Sequence, residues 1–97
     1  MTTYVTIDMV TTPDRFDEFR DFLAKHLPST RTFPGNISVE VARNQEEPDR
    51  VLLVEKWRSR ADFDAYLAWR QESGVLAELA AFADGEVRFG FHDQIAV

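Results

Sequence analysis

Apolar residues alternate with polar ones in some stretches of the chain and recur at helical spacing in others. Tyr4 to Val10 is rich in β-branched and aromatic residues, which predicts a first strand. Thr12, Pro13 and Asp14 then read as a helix start: a capping hydroxyl, a proline at N1 and an acid favourable to the helix dipole. Phe16, Phe19, Leu23 and Leu27 follow as one apolar stripe, and Pro28 is expected to stop the helix. Phe33-Pro34-Gly35-Asn36 predicts a turn, after which Ile37, Val39 and Val41 alternate with Ser38, Glu40 and Ala42 in a second strand. The polar stretch Asn44 to Asp49 reads as a hairpin loop. Val51 to Trp57 is apolar on both parities for most of its length, the pattern of a central strand covered on both faces. Ser59-Arg60-Ala61-Asp62 has the spacing of a capping box and opens a second helix with Phe63, Tyr66, Leu67 and Arg70 on one face. Gly74 ends or kinks it, and Val75, Leu76, Leu79, Ala80 and Ala83 make a further short helical segment. Val87, Phe89, Phe91 and Ile95 alternate in a final strand.

This order, β-α-β-β-α-β, predicts an α+β fold: a ferredoxin-like unit with a four-stranded antiparallel sheet. Right-handed crossovers put the first and third strands at the centre and both helices on one face. On the other face, Ser38, Glu40 and Lys56 are too few polar residues to solvate so much Val, Ile, Leu and Phe. A second copy of the chain covering that face would remove its apolar area from water, which predicts a homodimer; a monomer with a partly exposed sheet is the alternative. With 97 residues there is room for one domain, spanning 1–97, and no repeat or linker divides it.

Composition narrows the function. The chain is 44% hydrophobic and 29% charged, ordinary for a globular protein, with eight Phe and two Trp as a surplus of large apolar groups. Seventeen acids against 11 scattered bases give a net charge of −6, which repels phosphate backbones and argues against nucleic-acid binding. Cysteine is absent, so disulfides, thiolate ligands and cysteine nucleophiles are excluded, and a reducing cytoplasm is the expected location. The first residues show no basic n-region followed by an apolar h-region, and no apolar run approaches the ~20 residues of a membrane helix. Glycines 35, 74, 85 and 90 form no phosphate-cradling loop. His26 and His92 fall in different elements, so no metal site is expected. No nucleophile-elbow motif is present.

What remains is a set of aromatics beside a few polar groups. Leu53, Glu55 and Trp57 share one face of the third strand. Glu55 is the odd member: desolvated without a full partner it becomes a usable proton acceptor, and paired with Arg or Lys from a neighbouring element it is structural. Trp57 reads as a core or cleft-lining residue. Phe63, Tyr66, Trp57 and either Phe22 or Phe19 are placed to line an apolar cleft between helices and sheet, suited to a flat aromatic ligand; a solid core is the alternative. His26 is expected at the surface. His92 is out of phase with Phe89 and Phe91 and therefore faces the opposite way.

The segment from Thr32 to Leu79 resembles the antibiotic biosynthesis monooxygenase family. The shared features are Pro34-Gly35 before the second strand, a polar hairpin ending in Pro48-Asp49-Arg50, Glu55-Lys56-Trp57 closing the third strand, and the helix start Ser59-Arg60-Ala61-Asp62-Phe63-Asp64-Ala65-Tyr66. The resemblance extends over residues 4 to about 92 and implies a dimeric α/β barrel that oxygenates quinols or polycyclic anthrones without metal or flavin. Trp57 matches the family's Trp. Tyr66 stands where many members carry a His, and this helix has none, which argues against haem ligation. Leu53 stands where some anthrone oxygenases place an Asn. The resemblance therefore implies a cofactor-independent monooxygenase using molecular oxygen on a small quinol-like or polycyclic phenolic substrate. Trp57 would orient the substrate and Glu55 or His92 would accept a proton, with Phe22, Phe63 and Tyr66 lining the cleft. The alternatives are a non-enzymatic ligand-binding or stress-associated barrel of the same fold, and a polyketide-type cyclase or isomerase.

Overall fold

The structure, a computed structural model, describes residues 2–97. Seven elements follow one another: β1 (Thr3–Val10), α1 (Phe16–Arg31), β2 (Asn36–Arg43), β3 (Arg50–Trp57), α2 (Arg60–Glu72), α3 (Val75–Ala81) and β4 (Arg88–Asp93). The strands form one antiparallel sheet in the order β2-β3-β1-β4, with β1 and β3 central, as the ferredoxin-like order requires. The registers Val5↔Glu55↔Val39 and Ile7↔Leu53↔Val41 place these residues on one face, which the helices cover. A register shift between Asn36 and Ser38 breaks the expected alternation of β2 and leaves Ile37 exposed.

Two apolar clusters fill the helix-facing layer. The larger joins Ile7, Met9, Phe19, Leu23, Leu27, Val39, Val51, Leu53 and Leu79. A smaller aromatic one joins Val5, Trp57, Phe63 and Tyr66 at the other end of the central strands. The opposite face is more polar than the sequence pattern suggested. Beside Ser38, Glu40 and Lys56 it carries Thr6, Asp8, Arg50, Arg88 and His92, around a strip of Tyr4, Val10, Leu52 and Val54. Arg50 bridges to Asp8 across this face at 3.0 Å.

The expected boundaries of α1 are corrected at both ends. Asp14 takes a left-handed conformation (φ 67°), which is incompatible with a helix beginning at Pro13. The helix starts at Phe16, and the Thr12 hydroxyl donates to the Phe82 carbonyl instead of capping. Pro28 does not stop α1, which runs on to Arg31. The cost of an interior proline is offset by tertiary bonds around it: Arg70 donates to the His26 carbonyl at 2.8 Å and to the Thr30 hydroxyl at 2.9 Å.

The second helix starts as expected. Ser59 is its N-cap, accepting from the Asp62 amide at 3.1 Å while its hydroxyl donates to the Asp62 carboxylate. Gly74, at φ 81°, ends this helix and turns the chain directly into α3. The final strand ends at Asp93, short of the expected Ile95, which is exposed. Among the described residues no helix is long and apolar enough to cross a membrane.

Candidate active site

Between the sheet and the three helices lies a cavity of about 50 Å³. Leu53, Glu55, Ile7 and Phe89 form its floor on the sheet. Leu23, His26 and Thr30 come from α1, Phe63, Tyr66 and Arg70 from α2, and Val75, Leu76 and Leu79 from α3. The lining is mostly apolar, with His26, Thr30, Glu55, Tyr66 and Arg70 as its polar groups.

Glu55 is the only carboxylate among them. It is 2% exposed, and period-2 alternation on β3 puts it between Leu53 and Trp57 on the helix face. The Trp57 indole N–H donates to its Oε1 at 2.9 Å. No hydrogen bond from the described residues reaches Oε2, and no cation pairs with the carboxylate, so the ion-pair reading of Glu55 is not what the fold contains. Burial pushes the Glu55 carboxyl above its ordinary range; the Trp57 hydrogen bond and the positive charge of Arg70 pull the other way without cancelling that rise.

Trp57 is fully buried and lies behind the cavity, not on its wall. It packs against Tyr66 at 4.9 Å and Phe63 at 5.7 Å between ring centroids. Its contact with the site is the hydrogen bond that fixes Glu55, which corrects the expectation that Trp57 touches a ligand directly. Phe63 and Tyr66 line the cavity, and of the two alternatives Phe22 and Phe19 it is Phe22 that does. Phe19 does not; it is buried beneath Phe22 and Phe82. His92 is on the other side of the sheet, against the Thr6 hydroxyl at 3.4 Å, and cannot serve this cavity.

Three polar groups that the sequence reading did not assign to the site, Arg70, Thr30 and His26, also line the cavity. Arg70, 5% exposed, donates from Nε to the Tyr66 hydroxyl at 2.9 Å and from Nη2 to Thr30 and the His26 carbonyl. Thr30 and Tyr66 share a 2.7 Å hydrogen bond, closing a triangle. His26, expected at the surface, is instead half-buried and lines the cavity beside Phe22, 3.8 Å from Glu78. Burial, then the neighbouring Arg70 and Lys25 charges, lower its pKa, against a weaker opposing pull from Glu78. The sequence carried clues to two of the three. Arg70 completes the stripe of Phe63 and Tyr66, and His26 stands seven residues after Phe19. Thr30 lies beyond the proline expected to end the helix. Among the described residues no group of three or more His, Cys, Asp or Glu could hold a metal ion.

With the geometry in place, comparison with known proteins is decisive for family. The profile of the antibiotic biosynthesis monooxygenase family matches residues 2–83. The chain belongs to that family. Solved structures share its fold at low identity. A conserved protein from Methanosarcina mazei superposes with a TM-score of 0.89 at 17% identity, covering 98% of this chain and 94% of that one. A structure described as an antibiotic biosynthesis monooxygenase gives 0.83 at 18%, covering 99% and 100%. A point mutant of SnoaB, a cofactor-independent oxygenase from Streptomyces nogalater, gives 0.85 at 14%, covering 99% and 95%. No curated protein matches the sequence significantly.

Proposed function

We propose that this member of the family is a cofactor-independent monooxygenase acting on a quinol-like substrate in the helix–sheet cavity, with Glu55 as proton acceptor. The observation that carries the reading is the free Oε2 of a buried, high-pKa carboxylate facing an apolar cavity. A quinol deprotonated by Glu55 is electron-rich enough to pass an electron to O₂, and recombination of the resulting pair forms a ring C–O bond. One oxygen atom stays on the ring as a hydroxyquinone and the other leaves as water, all four electrons coming from the quinol. The protein's part is to desolvate, orient and deprotonate.

The cavity is small beside the ~150 Å³ that accommodates benzene in an engineered protein interior. A monocyclic ring therefore suits it better than a polycyclic one, and even that ring needs more room than the cavity has here, where α3, joined to α2 through Ser73-Gly74, forms one wall. The same reading includes a homodimer through the open sheet face, where Leu52 and Val54 sit with Tyr4 and Val10 in a strip that a second copy would cover.

Oxygen uptake with a panel of monocyclic quinols tests the activity, and light scattering on the same preparation tests the dimer. The expected results are turnover that falls about 10²- to 10⁴-fold in Glu55→Gln, and a dimer mass at micromolar concentration. Undiminished turnover in Glu55→Gln removes Glu55 as base, and a monomer mass removes the dimer.

A further inference from the structure

Two side chains of the cavity are almost completely buried, oppositely charged and not paired with each other. Glu55 is 2% exposed and Arg70 is 5% exposed, and both line the same cavity. Each is anchored on one side and free on the other. Glu55 is held through Oε1 by Trp57, leaving Oε2 without a partner among the described residues. Arg70 is held through Nε by Tyr66 and through Nη2 by Thr30 and the His26 carbonyl, leaving Nη1 without one among the described residues. Its guanidinium also lies 4.4 Å from the Trp69 ring centroid, which keeps the plane from swinging. A buried guanidinium with no carboxylate is costly unless something anionic meets it.

We propose that Arg70 holds an oxyanion of the ligand, so that the site selects a small quinol-type ring whose acidic hydroxyl is conjugated to a second oxygen group, such as a carbonyl, able to share the negative charge. The hydroxyl proton goes to Glu55 Oε2. The negative charge this leaves is delocalised through the ring and is met by Arg70 Nη1. This assignment rests on the cavity being the functional site, and it adds the substrate's charge pattern to that reading. The titratable groups facing the cavity are His26 from α1, Glu55 from β3, and Tyr66 and Arg70 from α2. Of these, only Arg70 carries a permanent positive charge.

4-Nitrophenol is a direct probe, because it has the required pattern and its phenolate is yellow. At a pH where most of the free dye is neutral, the wild type should bind it as the phenolate and deepen the colour. Arg70→Gln, with its fold confirmed by circular dichroism, should bind about ten- to a hundredfold more weakly and lose the colour shift, the loss expected for a charge-assisted hydrogen bond. Arg70→Lys should restore part of both. Nitrobenzene, which lacks the hydroxyl, should not compete.

Binding of the dye in its neutral form by the wild type, or equal binding and colour in Arg70→Gln, overturns the proposal. Should Arg70→Gln fail to fold, the wild-type colour shift and the nitrobenzene control still decide. The two readings fail separately. Phenolate binding with no oxygen uptake on any quinol leaves Arg70 in place and removes the oxygenase. Quinol turnover unaffected in Arg70→Gln does the reverse.

Discussion

The two ends of the helix-facing layer are built on different principles. Under α1 and α3, the larger cluster of Ile7, Met9, Phe19, Leu23, Leu27, Val39, Val51, Leu53 and Leu79 contains no buried charged side chain. Under α2, the cluster of Val5, Trp57, Phe63 and Tyr66 is interleaved with buried Glu55, Arg70 and Thr30. The first end gains from every group it removes from water. The second withdraws a carboxylate and a guanidinium from water and leaves each incompletely bonded, which costs stability. A small domain with a limited core has little reason to carry that cost unless the free Oε2 and Nη1 are used. The larger cluster, the aliphatic end, holds the fold and supplies much of the cavity's apolar wall, and the aromatic end supplies its buried charged groups.

Substitutions at the two ends should therefore separate stability from function. The largest loss of stability is expected at the aliphatic end. Phe19→Ala removes a fully buried ring packed on Phe22 and Phe82 and should cost about 3–5 kcal/mol in urea unfolding. Turnover per folded molecule should stay close to wild type, and a specific loss of activity would break the division. Trp57→Phe, at the other end, keeps most of the aromatic volume but deletes the donor to Glu55. It should cost about 1–3 kcal/mol. With that donor gone the Glu55 carboxyl rises further, so the acid limb of the pH–rate profile should move to higher pH. An unmoved limb would show that Trp57 does not tune Glu55.

The aliphatic end is also the more legible in the sequence. Stripes such as Phe16, Phe19, Leu23 and Leu27, and alternation such as Val51, Leu53, Glu55 and Trp57, report which face is buried, and from them the element order and sheet follow. They do not report which tertiary bond holds an element together. Pro28 reads as a stop because local propensity opposes a helix there, whereas Arg70, far along the chain, ties the turn on either side of it. In the same way, Trp57 lies on the strand face that alternation predicts, but only the packing of Phe63 and Tyr66 over it shows that it stands behind the cavity. Glu55 is visible as a polar residue on an apolar face. Its lack of a cation is not, because the candidates for pairing are spread over the whole chain.

The central claim is that Glu55 is a carboxylate kept buried without an ion-pair partner, the Arg70 charge not offsetting its burial, and the stability of Glu55→Gln against pH tests it most directly. Glutamine keeps the shape and an acceptor for the Trp57 N–H. The folded-state pKa of Glu55 lies above the ordinary value of 4.5, so the stability it contributes is fully present below about pH 4.5 and is lost as pH rises through the folded pKa. Wild type and Glu55→Gln should accordingly melt at similar temperatures near pH 4, with the variant becoming progressively the more stable as pH rises to 8. A variant that is instead less stable than wild type at pH 8, by a margin that grows from pH 4, would mean that the ionised carboxylate is stabilised in the fold. That result would contradict the account.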